Sequence, residues 1–364
     1  MFELSKPKLF SPGPVMVKDN VRASLLHYDI CHRGREFEEL FQDTQKKINQ
    51  LFNADDSYYS VIVSGSGTSA NETVLSSIFK KEDEALLIKN GVFGERLEEI
   101  LRKYGVPMVE ASFEWGDYPD IAKIEKILAD SPKVKVVAMV YHETSTGMIN
   151  PVKEVGQLCK KYNKWFYVDS VSAAAGHHID VVENNITLTS SVGGKCVGAF
   201  PGTAYICAKE EVLKSLTKEQ GKNVYLNLAK HYQSAKESHQ TPNTPNVNLF
   251  WALNQALTNI FEEGLDHYIE RQKNCAKILR EGMKALGLTL LLPEKYMANM
   301  VTSVFLPDGK DLKTFLEEME NRGYVVYSGK GKYLDMGMFQ VANMGEIYEE
   351  DCQDFLKVLA DCIK

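Results

Sequence analysis

The sequence predicts an α/β protein with a mainly parallel, seven-stranded sheet between helices and a smaller C-terminal α+β domain. From about residue 58, short continuous apolar runs alternate with amphipathic helical segments. Continuous runs are typical of strands that are covered on both faces. After Phe250 the pattern changes to long helices with short strands, which is typical of a separate small domain. The predicted division is an entry segment 1–15, a large domain 16–258 and a small domain 259–364.

Seven apolar runs are the predicted strands of the large domain: 59–63, 85–88, 106–109, 134–141, 165–168, 186–189 and 203–208. Pro107 lacks a backbone N–H, so the third run is confined to a strand start or a sheet edge. The predicted helices between them are 69–79, 94–103, 121–128 and 155–162. Ser11-Pro12-Gly13-Pro14 predicts a turn-rich entry rather than a strand.

The C-terminal pattern begins with a long helical region, 249–286, that is interrupted near Gly264. Strands are predicted at 288–292, 301–306, 323–327 and 336–342. Helices are predicted at 310–321 and from residue 347 onward.

Composition excludes several classes of partner. The net charge of −7 argues against nucleic acid or an anionic membrane surface as the main partner. No apolar run approaches the roughly 20 residues that a membrane helix needs, and the N-terminus lacks a signal-peptide pattern. The seven cysteines are scattered, odd in number and without a CxxC pair, which predicts reduced thiols in the cytoplasm and no metal site. Cys196 is expected to be a small buried residue.

An acid and an amine follow two of the predicted strands. Asp169 ends the run 165–168, and Lys195 follows the run 186–190 through Ser191-Val192-Gly193-Gly194. Open α/β sheets bind ligands at the carboxyl ends of their strands, so both side chains are expected in one crevice. An imine-forming lysine with an acid for a pyridinium nitrogen is what pyridoxal phosphate chemistry requires. Taken alone, a helix-capping acid and a solvated lysine are the commoner explanation.

Three further loops follow predicted strands. The loop 64–69 (SGSGTS) precedes a helix and can hold a phosphate, although a capping box of Ser69 and Glu72 explains it equally well. It matches neither GxxxxGK[ST] nor GxGxxG. In the loop 90–96, Phe93 can stack on an aromatic cofactor or anchor the loop. The hydroxyls of the loop 141–147 either converge on the same edge of the sheet as the other loops or form an N-cap or ST-turn.

Taken together, these segments resemble those of the fold-type I, class V pyridoxal-phosphate-dependent aminotransferases. The resemblance is closest to the branch that holds 2-aminoethylphosphonate–pyruvate transaminases and the alanine–glyoxylate and serine–glyoxylate aminotransferases. It spans nearly the full length, in this order: SPGPV at 11–15, CHRGREFEEL at 31–40, SGSGTSANE at 64–72, NGVFGERL at 90–97, HETSTGMINP at 142–151, VDSVSAAAG at 168–176, GGKCVGAFPG at 193–202 and FQVANMG at 339–345.

The resemblance implies a role for each matching residue around the ring of pyridoxal 5'-phosphate. Lys195 would bind the cofactor covalently and, once released by substrate, carry the reacting proton. Asp169 would keep the pyridine nitrogen protonated. Val171 and Phe93 would pack on opposite ring faces, and Thr144 would hydrogen-bond the ring's 3-oxygen.

The resemblance also implies how the cofactor's phosphate is held. Ser66, Gly67 and Thr68 would bind the 5'-phosphate, helped by a hydroxyl of Thr241 or Thr244 from the partner subunit. The protein is therefore expected to be a homodimer with shared active sites.

Two positions depart from the family pattern. Gly194 stands where Gln or Asn usually precedes the lysine. Gln340 stands where the family usually has an arginine for the substrate's carboxylate, and a neutral amide binds an anion more weakly than a guanidinium. Either Arg33 or Arg35 compensates for this loss, or the substrate or the reaction has changed.

The leading hypothesis is amino transfer from a small amine such as 2-aminoethylphosphonate to a 2-oxo acid such as pyruvate. A phosphonate needs a cationic pocket, for which Arg33, Arg35 and Arg96 are the candidates. The alternatives are another amino donor (alanine or serine with glyoxylate) or a lyase, decarboxylase or desulfurase on the same scaffold. A non-catalytic binding protein is a third hypothesis, against which Lys195 and Asp169 argue.

Overall fold

The computed structural model describes residues 7–364. Its strands are, in chain order, β1 (Lys8–Leu9), β2 (Tyr58–Gly65), β3 (Glu84–Lys89), β4 (Met108–Ser112), β5 (Val134–Val140), β6 (His142–Glu143), β7 (Met148–Ile149), β8 (Trp165–Asp169), β9 (Leu188–Val192), β10 (Gly202–Lys209), β11 (Thr289–Leu290), β12 (Val301–Phe305), β13 (Tyr324–Val325), β14 (Tyr327–Ser328) and β15 (Met338–Ala342).

Its α-helices are α1 (Asp19–Ala23), α2 (Arg35–Leu51), α3 (Gly67–Leu75), α4 (Val92–Lys103), α5 (Ile121–Asp130), α6 (Val152–Lys161), α7 (Glu210–Ser215), α8 (Leu228–Ser238), α9 (Val247–Glu263), α10 (Leu265–Ala285), α11 (Leu312–Asn321), α12 (Lys332–Asp335) and α13 (Glu349–Cys362). Two short 3-10 helices lie at Ser24–Leu26 and Glu294–Tyr296.

The large sheet has seven strands in the order β2-β10-β9-β8-β5-β3-β4. The five strands from β9 to β4 are parallel to one another, whereas β10 is antiparallel to both of its neighbours. The prediction of a mainly parallel, seven-stranded sheet is therefore confirmed. The start of β10 pairs with the carboxyl end of β2, at Gly202 and Gly65, and lies beside the end of β9. The loops that follow β2 and β9 therefore meet at one edge.

Amphipathic helices cover this sheet. In α2, the buried Phe37, Phe41 and Ile48 recur at helical spacing and face the core. Burying such a side chain contributes about 1.5–3 kcal/mol, so this face determines where the helix packs.

A second sheet, β11-β12-β15-β14, lies in the C-terminal part and packs its own core with α10, α11 and α13. The entry segment belongs to this part of the fold. Strand β1 pairs with β13, and the N–H of Ala342 donates to the carbonyl of Phe10 at 2.8 Å. Residues 11–14 form bends, as predicted, but β1 was not predicted, because its partner is more than 300 residues away.

Several element boundaries differ from the prediction. Strand β4 begins after Pro107, whose carbonyl accepts the N–H of Ala85 at 2.9 Å, and it lies at the sheet edge as expected. Helix α3 begins earlier than predicted because Ser66 caps it, and it ends at Leu75. The predicted strand 186–189 is shifted to β9, and the predicted strand 323–327 divides into β13 and β14.

The break in the long C-terminal helical region is confirmed. Gly264 separates α9 from α10 with φ of +87°, a conformation that favours glycine. The division between residues 258 and 259 falls inside α9 and stays a prediction.

Among the helices of residues 7–364, none has the length and apolar character that crossing a bilayer requires. The same residues contain no group of three or more His, Cys, Asp or Glu side chains arranged to hold a metal ion. Cys196 is buried, as expected, and all seven cysteines are free thiols.

Helix α6 provides a test of the packing around the sheet. A Cβ added at Gly156 would lie 1.9 Å from the carbonyl oxygen of Asn184, so the helix and the loop before β9 must separate. We expect Gly156→Ala to lower the free energy of unfolding by about 1–3 kcal/mol. The neighbouring, exposed Gln157→Ala is the control and should change it by less than about 0.5 kcal/mol. Urea denaturation of both variants measures this, and equal midpoints would contradict the packing.

Candidate active site

A cavity of about 290 Å³ opens where β2, β8 and β9 end. Its walls combine the charged side chains of Arg96, Asp169 and Lys195 with the apolar side chains of Phe93 and Val171. The loop after β2 adds a polar wall formed by Ser66, Gly67 and Thr68. The structure therefore brings the predicted acid, amine, phosphate loop and aromatic side chain into one site.

Lys195 reaches this cavity from the loop between β9 and β10. Its Nζ donates a hydrogen bond to the carbonyl of Pro12 in the entry segment. A Cβ at Gly13 would lie 2.5 Å from Nζ, and Gly13 has φ of +119°, so only glycine fits beside the amine. Burial lowers the pKa of Lys195 below its ordinary value, and the nearby positive charges of Lys330 and Arg96 contribute. A larger fraction of the amine is therefore neutral and nucleophilic near neutral pH.

Asp169 is the last residue of β8 and is buried. Its Oδ1 accepts the backbone N–H of Val171 at 2.9 Å, and its Oδ2 accepts the side-chain amide of Asn71 at 2.6 Å. Burial raises the pKa of Asp169, whereas these two hydrogen bonds lower it. The two donors therefore favour the carboxylate form in a site that would otherwise favour the acid.

The amide of Asn71 is itself held in one orientation. Its Oδ1 accepts hydrogen bonds from the hydroxyls of Tyr167 at 2.9 Å and Ser190 at 2.7 Å, and all three side chains are buried. With the oxygen occupied by hydroxyl donors, the NH₂ group faces Asp169. Sequence analysis missed Asn71, although its position in SGSGTSANE, one turn into the helix after the phosphate loop, placed it near the site.

The loop after β2 leads directly into α3. The Oγ of Ser66 accepts the N–H of Ser69 at 3.3 Å, and the helix begins at Gly67. A Cβ at Gly67 would lie 2.6 Å from Val171, so glycine allows the loop to approach that side chain closely. Glu72 does not complete a capping box with Ser69, because its carboxylate accepts the hydroxyl of Tyr104. The free N–H groups of this helix start can bind an anion.

Phe93 lies in the first turn of α4 rather than in a loop. The buried carboxylate of Glu143 accepts the N–H of Phe93 at 3.3 Å and that of Gly94 at 3.1 Å. Burial raises the pKa of Glu143, and these hydrogen bonds oppose the rise. Glu143 therefore fixes the helix start that carries the aromatic side chain.

Thr144 and Gln340 lie outside the set of residues that line the cavity. Both are buried, and Thr144 Oγ1 lies 2.7 Å from Ser172 Oγ. Gln340 Nε2 donates to the carbonyl of Thr144 at 2.6 Å and to Ser303 Oγ at 3.0 Å. The amide that replaces the expected arginine is thus engaged by neutral protein groups.

The remaining predicted residues are also away from this cavity in their own chain. The guanidinium of Arg33 donates to the carbonyls of Thr241 at 2.7 Å and Pro242 at 3.1 Å, so it organises that loop. Arg35 is exposed and pairs with Glu39 on the same helix. The hydroxyl of Thr241 donates to a backbone carbonyl two residues on. Thr244 is exposed, and its hydroxyl lies 3.5 Å from Nε2 of His32.

The lowered pKa of Lys195 predicts unusual reactivity. Because the folded-state pKa lies below 10.5, the neutral amine persists to lower pH, and reactivity is lost only as pH falls through that lowered pKa. Reductive methylation of the cofactor-free protein, followed peptide by peptide by mass spectrometry across pH, should give a midpoint for Lys195 below 10.5. Lys332 is the control, because hydrogen bonding to Glu114 raises its pKa. A midpoint for Lys195 at or above that of Lys332 would contradict this geometry.

Comparison with known proteins identifies the family of this chain. The family model for class-V aminotransferases matches residues 19–331. An uncharacterized aminotransferase of Methanocaldococcus jannaschii is 33% identical over 347 residues, which cover 95% of this chain and 90% of that protein. A 2-aminoethylphosphonate–pyruvate transaminase of Klebsiella pneumoniae is 30% identical and covers 96% of both chains.

Solved structures show the same fold. The ureidoglycine–glyoxylate aminotransferase of Bacillus subtilis superposes with a TM-score of 0.91 at 28% identity, over 99% of this chain and 94% of that one. An alanine–glyoxylate aminotransferase from Nostoc sp. has a TM-score of 0.92 at 25% identity, over 100% and 97%. The fold is therefore that of the fold-type I transferases, and the chain belongs to the class-V aminotransferases, as a transaminase that depends on pyridoxal 5'-phosphate.

Proposed function

We propose that this transaminase moves the amino group of a small amine with an anionic end, of the 2-aminoethylphosphonate kind, to a 2-oxo acid such as pyruvate. The observation that carries the proposal is Gln340, a buried neutral amide bonded to Thr144 and Ser303 where the family usually has an arginine. A donor with no carboxylate on its reacting carbon needs no arginine there, whereas the carboxylate of the 2-oxo acid acceptor has to be bound by another group. The 30% identity to a 2-aminoethylphosphonate–pyruvate transaminase supports the same substrate class.

The residues of the cavity fit the cofactor. Pyridoxal 5'-phosphate needs an amine for its aldehyde, an acid for its ring nitrogen, apolar contacts for its faces and donors for its phosphate. Lys195, Asp169, Phe93 and Val171 line one cavity with the N-terminus of α3. A Cβ at Gly67 would contact Val171, so a side chain there would narrow the space between the loop 64–69 and the side chain that packs on the cofactor ring.

Each residue then has a defined task in our proposal. When bound, the cofactor supplies an electron-withdrawing ring that stabilises negative charge at the substrate's reacting carbon. The neutral amine of Lys195 would bind the cofactor and, once the amine of the substrate had displaced it, would take the proton from that carbon. The ionised Asp169 holds a proton on the ring nitrogen, and Asn71 keeps Asp169 ionised. Phe93 and Val171 would pack on opposite faces of the ring.

The phosphate end of the cofactor has its own set of residues. We propose that Ser66, Gly67 and Thr68 hold the 5'-phosphate through hydroxyl and backbone N–H groups. We keep Thr144 as a hydrogen-bond partner of the ring's 3-oxygen, and a hydroxyl of Thr241 or Thr244 as a phosphate ligand from a second subunit.

A homodimer with shared sites is part of this proposal. Thr241 and Thr244 lie outside the cavity of their own chain, and Thr244 is exposed. Apolar side chains near this segment are exposed as well: Leu26 at 86% and Val224 at 81%. Asn248 ties the segment to the backbone beside Leu26 with a hydrogen bond of 2.8 Å. Exposed apolar surface of this kind is typical of subunit interfaces.

We further propose that the protein works in the cytoplasm. All seven cysteines are free thiols, including the exposed Cys31. Free thiols persist in a reducing compartment.

A second candidate function is amino transfer from alanine or serine to glyoxylate. The structural likeness to an alanine–glyoxylate aminotransferase at 25% identity favours it. Such a donor carries a carboxylate on its reacting carbon, and this carboxylate would have to be bound without an arginine at position 340. A lyase or decarboxylase reaction on the same scaffold is the remaining alternative.

The hydrogen bond between Asn71 and Asp169 can be tested through cofactor binding. Asn71→Leu removes the donor, so the pKa of Asp169 rises further and less carboxylate is available for the ring nitrogen. We expect the dissociation constant of the cofactor, measured by equilibrium dialysis, to rise roughly tenfold, as for other hydrogen bonds to charged groups. Tyr167→Phe keeps the donor and is the control, with less than about a threefold effect. Equal effects of the two variants would contradict the role of Asn71.

The donor class can be tested by half-reactions. Holoenzyme is mixed separately with 2-aminoethylphosphonate, phosphoethanolamine, alanine and serine, and conversion of the cofactor to its amine form is followed by absorbance. We expect 2-aminoethylphosphonate to react fastest, because its anionic end matches the cationic wall formed by Arg96. Lys195→Ala is the control and should show no conversion.

Other results of that screen have definite meanings. Faster conversion by alanine or serine would favour the second candidate function. Consumption of an amine without the amine form of the cofactor would favour a lyase or decarboxylase and would refute transamination.

A further inference from the structure

Two cationic side chains lie against the ring of Phe93; Phe93 and Arg96 line the cavity, and Lys330 lies just beyond the lining residues. The guanidinium carbon of Arg96 is 4.8 Å from the centre of the Phe93 ring, and the Nζ of Lys330 is 5.3 Å from it. Arg96 comes from helix α4, whereas Lys330 comes from the loop between β14 and α12. Among residues 7–364, neither cation forms an ion pair with an acidic side chain within 4.0 Å.

The loop that carries Lys330 is held in place on both sides by glycine. A Cβ at Gly329 would lie 2.9 Å from the carbonyl oxygen of Met338, to which the N–H of Gly329 also donates. Gly331 has φ of +52°, and a Cβ there would lie 2.7 Å from the ring of Trp115. These close contacts fix the backbone at Lys330 against the large domain. The lysine is therefore directed at the ring by a packed turn rather than by a free loop.

Acidic side chains compensate the charge at this place only in part. Burial and the neighbouring Arg96 lower the pKa of Lys330, and Asp169, which lines the same cavity, attracts Arg96. Glu143 raises the pKa of Lys330. Its carboxylate oxygens, however, already accept the backbone N–H groups of Phe93, Gly94 and Ser145. Holding half-buried like charges together without a counterion is unfavourable. A bound anion would remove this cost.

We propose that Arg96 and Lys330 form the binding site for the anionic end of the amine substrate, and that this site selects a dianion. This inference rests on the proposed function, which it deepens by naming the group that recognises the phosphonate. Two separate cations match the charge of a phosphonate or phosphate monoester better than that of a carboxylate. Because one cation comes from each part of the fold, the substrate also bridges the large domain and the small one.

The site explains how anion recognition survives without an arginine at position 340. Gln340 is bonded to Thr144 and Ser303, away from the cavity wall, and offers no charge. Of the three arginines considered from the sequence, Arg33 and Arg35 are bound elsewhere and Arg96 lines the cavity. Lys330 supplies the second positive charge. In this proposal, the anion of the amine donor is therefore recognised at the far end of the donor and not at its reacting carbon.

The test uses ethylphosphonate, an unreactive dianion of the donor's length that lacks the amino group. Its binding to the holoenzyme, in which the cofactor's phosphate fills its own site, is measured by calorimetry at about pH 8.5, because an alkyl phosphonate loses its second proton at higher pH than a phosphate ester, whose second pKa is about 6. We expect Lys330→Met to weaken binding roughly tenfold or more, since it removes a charged hydrogen-bond donor and keeps most of the stem. Lys332→Met removes an equal charge two residues away, from an exposed pair with Glu114, and should leave binding unchanged.

Propionate provides the comparison of charge. We expect it to bind the wild-type holoenzyme at least about tenfold more weakly than ethylphosphonate and to be less affected by Lys330→Met. Equal binding of ethylphosphonate to the wild type and Lys330→Met, or no binding to the wild type, would overturn the site. Equal affinity for both anions would overturn its selectivity.

This readout does not depend on turnover. If ethylphosphonate binds through Lys330 but 2-aminoethylphosphonate does not react, the anion site stands and the proposed donor is refuted. If 2-aminoethylphosphonate reacts but Lys330→Met binds and reacts like the wild type, the donor stands and the site is refuted.

Discussion

The antiparallel pairing of β10 with both β2 and β9 is the constraint on which the site depends. It pairs Gly202 with Gly65 and Ala204 with Val192, so the phosphate loop and the lysine loop meet at one edge of the sheet. A parallel strand in this place would need a long crossover and would carry the residues after β9 away from that edge. The reversed strand returns the chain directly, and Lys195 therefore faces Asp169 across a small cavity.

The site is also defined by charges that the fold keeps away from water. Burial raises the pKa of Asp169 and lowers that of Lys195, so each charged form costs stability in the protein alone. The surrounding donors and acceptors reduce this cost selectively. Asn71 and a backbone N–H favour the carboxylate of Asp169, and the carbonyl of Pro12 accepts from the amine of Lys195. In our proposal, these contacts prepare Asp169 to hold a proton on the ring nitrogen and Lys195 to transfer one.

The entry segment and the C-terminal part of the chain contact residues of the cavity. Gly13 touches Lys195, and its carbonyl accepts the hydroxyl of Tyr327 at 3.2 Å. The following turn brings Lys330 to Phe93. The cofactor site thus belongs mainly to the large sheet, whereas the far end of the substrate would meet residues from both parts of the chain. In our proposal, this arrangement separates the residues that serve the cofactor from those that select the substrate.

The sequence by itself determined the sheet, the positions of Asp169 and Lys195 beside the ends of two strands, and the loop 64–69 between a strand and a helix. Each of these follows from a local pattern, since a polar residue directly after an apolar strand must emerge at the strand's end. The tertiary structure alone decided that Asn71 holds Asp169, that Lys330 joins Arg96, and that Gln340 turns to neutral partners. Those contacts join residues up to about 240 positions apart, and no local periodicity encodes which distant side chains a packed fold brings within hydrogen-bonding reach.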